Sequence, residues 1–539
     1  MRSTMMEYPL TLQQVLEHGR LLHGGSRVVT WQGDHARTLT FTETYDRIGR
    51  LAAALRRLGV RPGDVVGTFG FNHQEHLEAY FAVPCMGAVL HTLNVRLFAD
   101  QLRYVVDDGG DRVILVDAAL VPTLARVADD LDTVTAYVVV GDGDADGLPA
   151  GKVHRYDELL AAEDGAFDWP TLDERAPATM CHTSGTTGNP KGVVYSHRSQ
   201  WTHTFGVAAS GLGIDDRARL LVVVPQFHAN AWGLIYVGWL QGTDLLQPER
   251  YLQPEPLTAF IERERPTCSA AVPSVWNGVL EHAGASGADL SSMDWVLVGG
   301  SAVPRALMDA FEERWGVEII QGWGMTEMNP VGALATPPRG VAPEEEIEWR
   351  ARTGRIVPGV DLRLVDDAGV VQPWDDESLG EVQVRGPWIT GEYHAVASPE
   401  KFTPDGWLRT GDIGKVDDRG YLQIVDRTKD VIKSGGEWIS SVELENALMG
   451  HPDVAEAAVI GVADERWAER PLACVVPAAG ARLDVDALAT FLREHVAGWW
   501  VPERWAIVDE VPKTSVGKFD KKVLRQRHEQ DELEVRLRD

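Results

Sequence analysis

From Thr183 to Lys191 the chain reads TSGTTGNPK. Ser184, Gly185, Thr186, Thr187 and Gly188 carry little side-chain bulk, so backbone there can approach a ligand closely and offer N–H and O–H donors to anionic oxygens. Lys191 adds a positive charge, and the combination suits a phosphate. A Walker-type loop sets glycine directly before its lysine and Ser or Thr directly after. Here Pro190 precedes Lys191 and Gly192 follows, which excludes that loop. Near the C-terminus, VGKFDKK places Lys518 directly after Gly517. Charge alone leaves this stretch open between a solvated basic tail and a lysine delivered to a site. His228, in PQFHANAWG, reads from its residue type alone as a core histidine more often than a site residue.

Those residues need a scaffold, and 539 residues exceed one ordinary core, so two or more domains are expected. Hydrophobic residues at 44% and charged residues at 24% are globular values. A formal charge of −29 argues against nucleic acid as the main partner, while a small anion needs only local cations. Cys85, Cys181, Cys268 and Cys474 are far apart without metal-ligand spacing, which reads as reduced, buried thiols. The N-terminus MRSTMMEYPLTL lacks a signal-peptide core, and ANAWGLIYVGWL is too short to span a bilayer. A cytoplasmic protein is expected.

Residues 42–58 place Tyr45, Ile48, Leu51 and Leu55 on one helical face, ahead of a turn and the β-branched run VVGTFGF. LVVVP (221–225), CSAAVPSVW (268–276) and WVLVGGSAVP (295–304) read as buried strands separated by helical patterns. Parallel sheets flanked by helices follow from that alternation. From about residue 360, alternating strands and Gly/Asp turns read as a more β-rich layer of the same domain. After IVDRTKD a smaller α+β unit begins, with a capping-box spacing between Ser440 and Glu443. The expected fold is α/β: a large N-terminal domain (1–425) with a small C-terminal domain (426–539), hinged at Asp426.

TSGTTGNPKG resembles the signature loop of the adenylate-forming superfamily, which includes acyl-CoA synthetases, luciferases and peptide-synthetase adenylation domains. VGGSAVP (298–304), QGWGMTE (321–327), GWLRTGD (406–412), DRTKDVIKSGGEWIS (426–440) and PKTSVGK (512–518) match further motifs in the same order. KSGGEWISSVELENALMGHP is especially similar to bacterial medium- to long-chain fatty acyl-CoA synthetases. The resemblance implies that a carboxylate attacks the α-phosphorus of ATP, giving acyl-adenylate and pyrophosphate. The CoA thiol then takes the acyl group and expels AMP.

It also implies roles. The 183–188 loop and Lys191 hold the ATP phosphates, and Glu327 with Thr183 holds Mg²⁺. Gly300, Gln321, Gly322, Trp323 and Thr326 frame adenine and α-phosphate, Trp323 standing where tyrosine is usual. Asp412 and Arg427 reach the ribose, while Lys429, Lys433 and Trp438 contact the adenylate from the hinge side. Lys518 bridges carboxylate and α-phosphate. His228 and the gate-like Trp232 border the acyl route, and Gly435 and Gly436 pass the pantetheine thiol. His182 and Cys181 stand where an aromatic residue is common and read as packing changes. A homodimer is implied through the N-terminal segment MEYPLTLQQVLEHG. The alternatives are a ligase for an aromatic acid, adenylate transfer to an amine or carrier protein, and an inactive acyl-nucleotide binding protein.

Overall fold

The computed structural model describes residues 1–183, 189–435, 437–513 and 519–538. Three sheets organise the described chain. The first has seven strands, in the order 153–155, 136–140, 111–117, 65–69, 89–92, 177–182, 192–196. All neighbours are parallel except the last pair, Pro177–His182 with Gly192–Ser196, which is antiparallel. Runs such as AYVVV and DRVILVD are apolar on both faces, as strands covered on both sides must be. His182 and Gly192 are the last pair of this closing hairpin, next to Thr183 and Lys191.

The second sheet has fourteen strands. Its parallel part includes Arg219–Val222, Cys268–Ala271, Trp295–Gly299 and Glu318–Gly324. Beyond Glu318–Gly324 the same sheet turns antiparallel and runs through Val331–Leu334, Gly354–Ile356, Tyr421–Arg427 and Leu408–Val416 to the residues after 360. The β-rich layer is therefore hydrogen-bonded to the parallel sheet. The strand expected over 268–276 stops at Ala271, because Pro273 opens the helix Pro273–Ser286 with its φ preset and no N–H to satisfy.

Helix Phe41–Arg57 buries Ile48, Leu51 and Leu55 completely. Its N-terminus holds a full capping box: Thr40 Oγ1 accepts from Glu43 N (3.2 Å) and Glu43 Oε2 accepts from Thr40 N (2.8 Å). At Ser440 only half of the expected box forms. Its Oγ accepts from Glu443 N (3.1 Å) and donates to Val425 O (2.6 Å), which ties the first helix of the small unit to the last strand of the large sheet.

In that unit the long hairpin of Val454–Asp464 and Ala468–Pro477 alternates its faces. Val459, Ala473 and Val475 face helices Ser441–Met449 and Val485–His495, and Ile460, Leu472 and Cys474 pack with Leu524 of helix Lys521–Glu529. Asp426 is buried within strand Tyr421–Arg427. Its Oδ2 accepts from Ser441 N (2.7 Å) and Ser441 Oγ, and Lys521 Nζ donates to Ser441 Oγ (2.6 Å).

Between the two large sheets, Asn72 joins loop and strand. Its Nδ2 donates to Val222 O (2.7 Å) and Val224 O (2.8 Å), and its Oδ1 accepts from Gln226 N (2.8 Å). This fixes the path from the strand Arg219–Val222 to His228. Asn72→Leu should cost about 2–4 kcal/mol, because buried backbone groups lose their partners. Urea unfolding followed by tryptophan fluorescence measures it, and a loss under about 0.5 kcal/mol would contradict the assignment.

Candidate active site

The C-terminal ends of the parallel strands converge on one cavity of about 640 Å³, the place where open α/β sheets bind ligands. Thr183 follows the strand Pro177–His182. Thr183 N donates to Lys191 O (2.9 Å) and Lys191 N to Thr183 Oγ1 (3.1 Å), closing the base of the turn. Lys191 Nζ donates to Ser398 Oγ (2.7 Å) and stands 4.8 Å from the Tyr393 ring centre. Tyr393 OH donates to Glu327 Oε1 (2.6 Å), and burial together with that carboxylate pushes the phenol upward from its ordinary pKa. Tyr195 OH donates to Thr326 O (2.6 Å), so the hairpin braces the turn that carries Glu327.

Thr183, Lys191, Glu327, Thr326, Gly300, Gly322, Trp323, Arg427, Lys429, His228 and Trp232 all line this cavity. Val224, Phe227, Val272, Val275 and Leu334 give it an apolar wall. Asp412 and Gln321 border a second cleft, of about 1300 Å³, against the small unit; this cleft shares Gly300, Gly322, Trp323, Arg427 and Lys429 with the first. Trp323 Nε1 donates to Asp412 Oδ2 (2.8 Å), and Arg427 Nε lies 3.5 Å from Asp412 Oδ1. The indole thus makes a hydrogen bond of its own to the acidic group. Burial moves the Lys429 ammonium down from its usual pKa.

Some expected residues are placed otherwise. Both ends of the Gln321 amide are occupied by backbone, Val303 N (2.9 Å) and Arg352 O (3.0 Å), so it clamps the 300–304 loop. Lys433, Trp438 and Gly435 line neither cleft. Gly435 N donates to Trp467 O (2.8 Å), and Lys433 Nζ is 5.8 Å from the Trp438 ring centre. Cys181 and His182 are more than packing changes: Cys181 Sγ donates to Asn230 Oδ1 (3.3 Å), and His182 bonds His91 and Asp108. Ser184, Gly185, Thr186, Thr187, Gly188, Gly436 and Lys518 lie outside the described residues. Sequence reasoning missed Tyr393 and Ser398. They sit in the irregular stretch between strands Gly380–Arg385 and Leu408–Val416, where no periodicity marks them.

The segment around Trp232 is not the simple strand-to-helix join that its sequence suggests. Ala229, Asn230, Ala231 and Trp232 have φ of 43, 51, 50 and 56°, and Gly233 continues at 73°. Left-handed backbone costs a non-glycine residue roughly 1–2 kcal/mol, so packing must hold this turn. Asn230 Nδ2 donates to Thr179 Oγ1 (2.8 Å), and a Cβ at Gly233 would meet His203 Cε1 at 2.6 Å. The Trp232 ring reaches over Gly299, where an added Cβ would come within 3.2 Å of its Cη2.

The donors present fit Mg²⁺. The Glu327 carboxylate and the Thr183 hydroxyl are hard oxygens facing one cavity. Among the described residues no group of three or more His, Cys, Asp or Glu could hold a metal.

The model of the AMP-binding enzyme family matches residues 21–394, and the model of the AMP-binding enzyme C-terminal domain matches 443–518. A long-chain-fatty-acid–CoA ligase from Thermus thermophilus is 43% identical over 534 residues, 98% of this chain and 97% of that protein. A 3-methylmercaptopropionyl-CoA ligase from Ruegeria pomeroyi is 40% identical over 98% of each chain. The crystal structure of the anthranilate CoA ligase AuaEII with anthranoyl-AMP superposes with a TM-score of 0.88 at 26% identity, covering 98% of this chain and 99% of that one.

Trp232→Ala should enlarge the apolar part of the cavity and shift the chain-length preference for carboxylates toward longer chains. Rates across a C6–C18 fatty-acid series read this out. A folded variant with an unchanged profile would make Trp232 a packing residue only.

Proposed function

The chain belongs to the AMP-binding enzyme family, and on that premise we propose that it is an ATP-dependent carboxylate–CoA ligase acting on medium- to long-chain fatty acids. The carrying observation is a cavity that is cationic and oxygen-rich at Thr183, Lys191 and Glu327 and apolar along Val224, Phe227 and Val275. Such a shape takes an amphiphile, its carboxylate toward the phosphates and its chain along the apolar wall. The deciding assay is CoA-thioester formation across aliphatic and aryl carboxylates. Faster turnover of aryl acids, such as anthranilate, would replace the fatty-acid reading.

In the first half-reaction a carboxylate oxygen bonds to the α-phosphorus as the bond to pyrophosphate breaks. Lys191 binds phosphate oxygens as a fixed charge, and the Thr183 hydroxyl donates beside it. Glu327 and Thr183 would hold Mg²⁺, which when bound supplies charge neutralisation to the phosphates. Asp412 accepts the ribose hydroxyls, kept in place by the Trp323 indole. The Trp323 ring stacks adenine, and Tyr393 fixes the Glu327 carboxylate. In the second half-reaction the thiol sulfur attacks the acyl carbonyl, AMP leaves, and the thiol proton goes to His228 or to solvent. Gly435 and Gly436 are assigned the close backbone passage of the pantetheine arm.

Lys518 is assigned the bridge between carboxylate and α-phosphate, and the small unit turns about Asp426 between the half-reactions. Lys433 and Trp438, outside the clefts here, belong to the other orientation. The protein works in the cytoplasm; no helix of the described residues is long and apolar enough to cross a membrane. Two copies pair through the N-terminal segment, where Met5, Met6 and Tyr8 are exposed. Light scattering across a dilution series should return a dimer mass, and a monomer throughout would refute the pairing.

Lys518→Ala should slow pyrophosphate release about 10²–10³-fold, the scale of one preorganised charge contact. Thioester formation from supplied acyl-adenylate should fall far less, and equal losses would sink the assignment. Asp426→Pro should retain one half-reaction only. Asp426→Ala loses the same carboxylate but keeps backbone freedom, and should run both.

A further inference from the structure

A chain of buried polar groups lies behind the Thr183–Lys191 turn. Asp111 Oδ2 is 2.8 Å from His91 Nδ1, His91 Nε2 is 2.9 Å from His182 Nδ1, and His182 Nε2 is 2.9 Å from Asp108 Oδ2. His91 and Asp111 side chains are fully buried, His182 is 6% exposed and Asp108 13%. Two glycines clear its space: a Cβ at Gly109 would stand 2.6 Å from His91 Nδ1, and one at Gly67 2.8 Å from Asp111 Oδ1.

We propose that Asp111, His91, His182 and Asp108 form a hydrogen-bonded chain of fixed polarity that holds the root of the phosphate turn and so sets the affinity for ATP. The inference rests on reading that turn as the ATP site. These four are positioning residues, since none lines the cavity.

The polarity follows from donor counting. Each His–carboxylate link and the His–His link needs one proton, so the three links hold three protons. Two neutral imidazoles supply two, and the third is shared by one of the end pairs. Asp111 is the costlier place for a bare charge: it is fully buried, and its Oδ1 has no partner among the described residues. Asp108, nearer solvent, keeps its charge. The shared proton therefore sits between Asp111 and His91, His91 Nε2–H donates to His182 Nδ1, and His182 Nε2–H donates to Asp108.

The chain grips both strands of the hairpin. His182 directly precedes Thr183, and His394 N donates to Gly192 O (2.8 Å) while its Nε2 meets Asp108 O (3.1 Å). His394 follows Tyr393, which holds Glu327. Tyr104, on the helix that carries Asp108, feels that carboxylate and shares a hydrogen bond with Asn189 inside the turn. The groups facing His182 are thus His91, Asp108 and His394.

The test compares two variants in the full-length enzyme. Gln at 182 keeps one acceptor and one donor; Phe keeps the volume and neither. His182→Phe should raise KM for ATP about tenfold, the scale of one hydrogen bond to a charged group. KM for carboxylate and for CoA, and kcat, should stay within about twofold, and His182→Gln should recover most of the ATP affinity. An unchanged ATP KM in the Phe variant, or a Gln variant no better than Phe, overturns the proposal. Wild type that releases no pyrophosphate with any carboxylate would instead overturn the ATP reading itself. Histidine-selective ¹⁵N NMR of the wild type decides the polarity even where the Phe variant does not fold. His182 should be protonated at Nε2 and bare at Nδ1, and the opposite tautomer overturns it.

Discussion

Two anions have to meet inside a protein whose formal charge is −29. At about 4 Å and an effective dielectric near 20, like unit charges repel by roughly 4 kcal/mol, so the meeting place must be locally positive and closed to competing carboxylates. Charges on the acidic surface beyond the Debye length of about 8 Å are screened, which leaves the balance to nearby groups. Lys191, Arg427 and Lys429 face the cavity, its Glu327 is tied by Tyr393, and Asp412 on the adjoining cleft is tied by Trp323 and Arg427.

The sheet architecture brings those groups to one place. Parallel strands end together, so Thr183, His228, Gly300 and Trp323, far apart in the chain, arrive at one rim. The antiparallel continuation of the large sheet swings Asp412 and Arg427 in from the other side as paired residues of adjacent strands. No single secondary element supplies the site. Its precision depends on the bracing between sheets, by Asn72 across the strand leading to His228 and by Tyr195 across to Thr326.

How much of this was legible in the sequence depends on range. The small-residue turn with its lysine, the buried strands and the cap at Ser440 are local patterns, readable because spacing carries their physics. Tyr393 and Ser398 were not, since an irregular loop gives no period. The left-handed turn at 229–232 was hidden because Ala, Asn, Ala and Trp bear no mark of positive φ, which packing imposes from outside. The histidine chain draws on residues 91, 108, 111 and 182, and only their juxtaposition reveals that His182 is a hydrogen-bonding residue. Trp323 stands for tyrosine in the resemblance, and only the structure shows its indole donor meeting Asp412.

One demand pulls against another. In the proposed mechanism the two half-reactions need the small unit to turn while the nucleotide remains bound throughout. The residues proposed to grip the nucleotide, Thr183, Lys191, Glu327 and Asp412, accordingly all lie on or beside the two large sheets. Asp426 sits where the two demands meet. Its backbone pairs with Ile413 in the large sheet, while its carboxylate accepts from Ser441 at the start of the small unit's first helix. A turn of the small unit in the reaction has to break or carry that carboxylate contact while leaving the strand pairing intact. The strand regularity ends just beyond it, at Arg427, where Thr428 N returns to Gly411 O. In the proposed mechanism the rotation is centred at Asp426, so that Asp412, on the neighbouring strand of the large sheet, keeps its place beside the ribose.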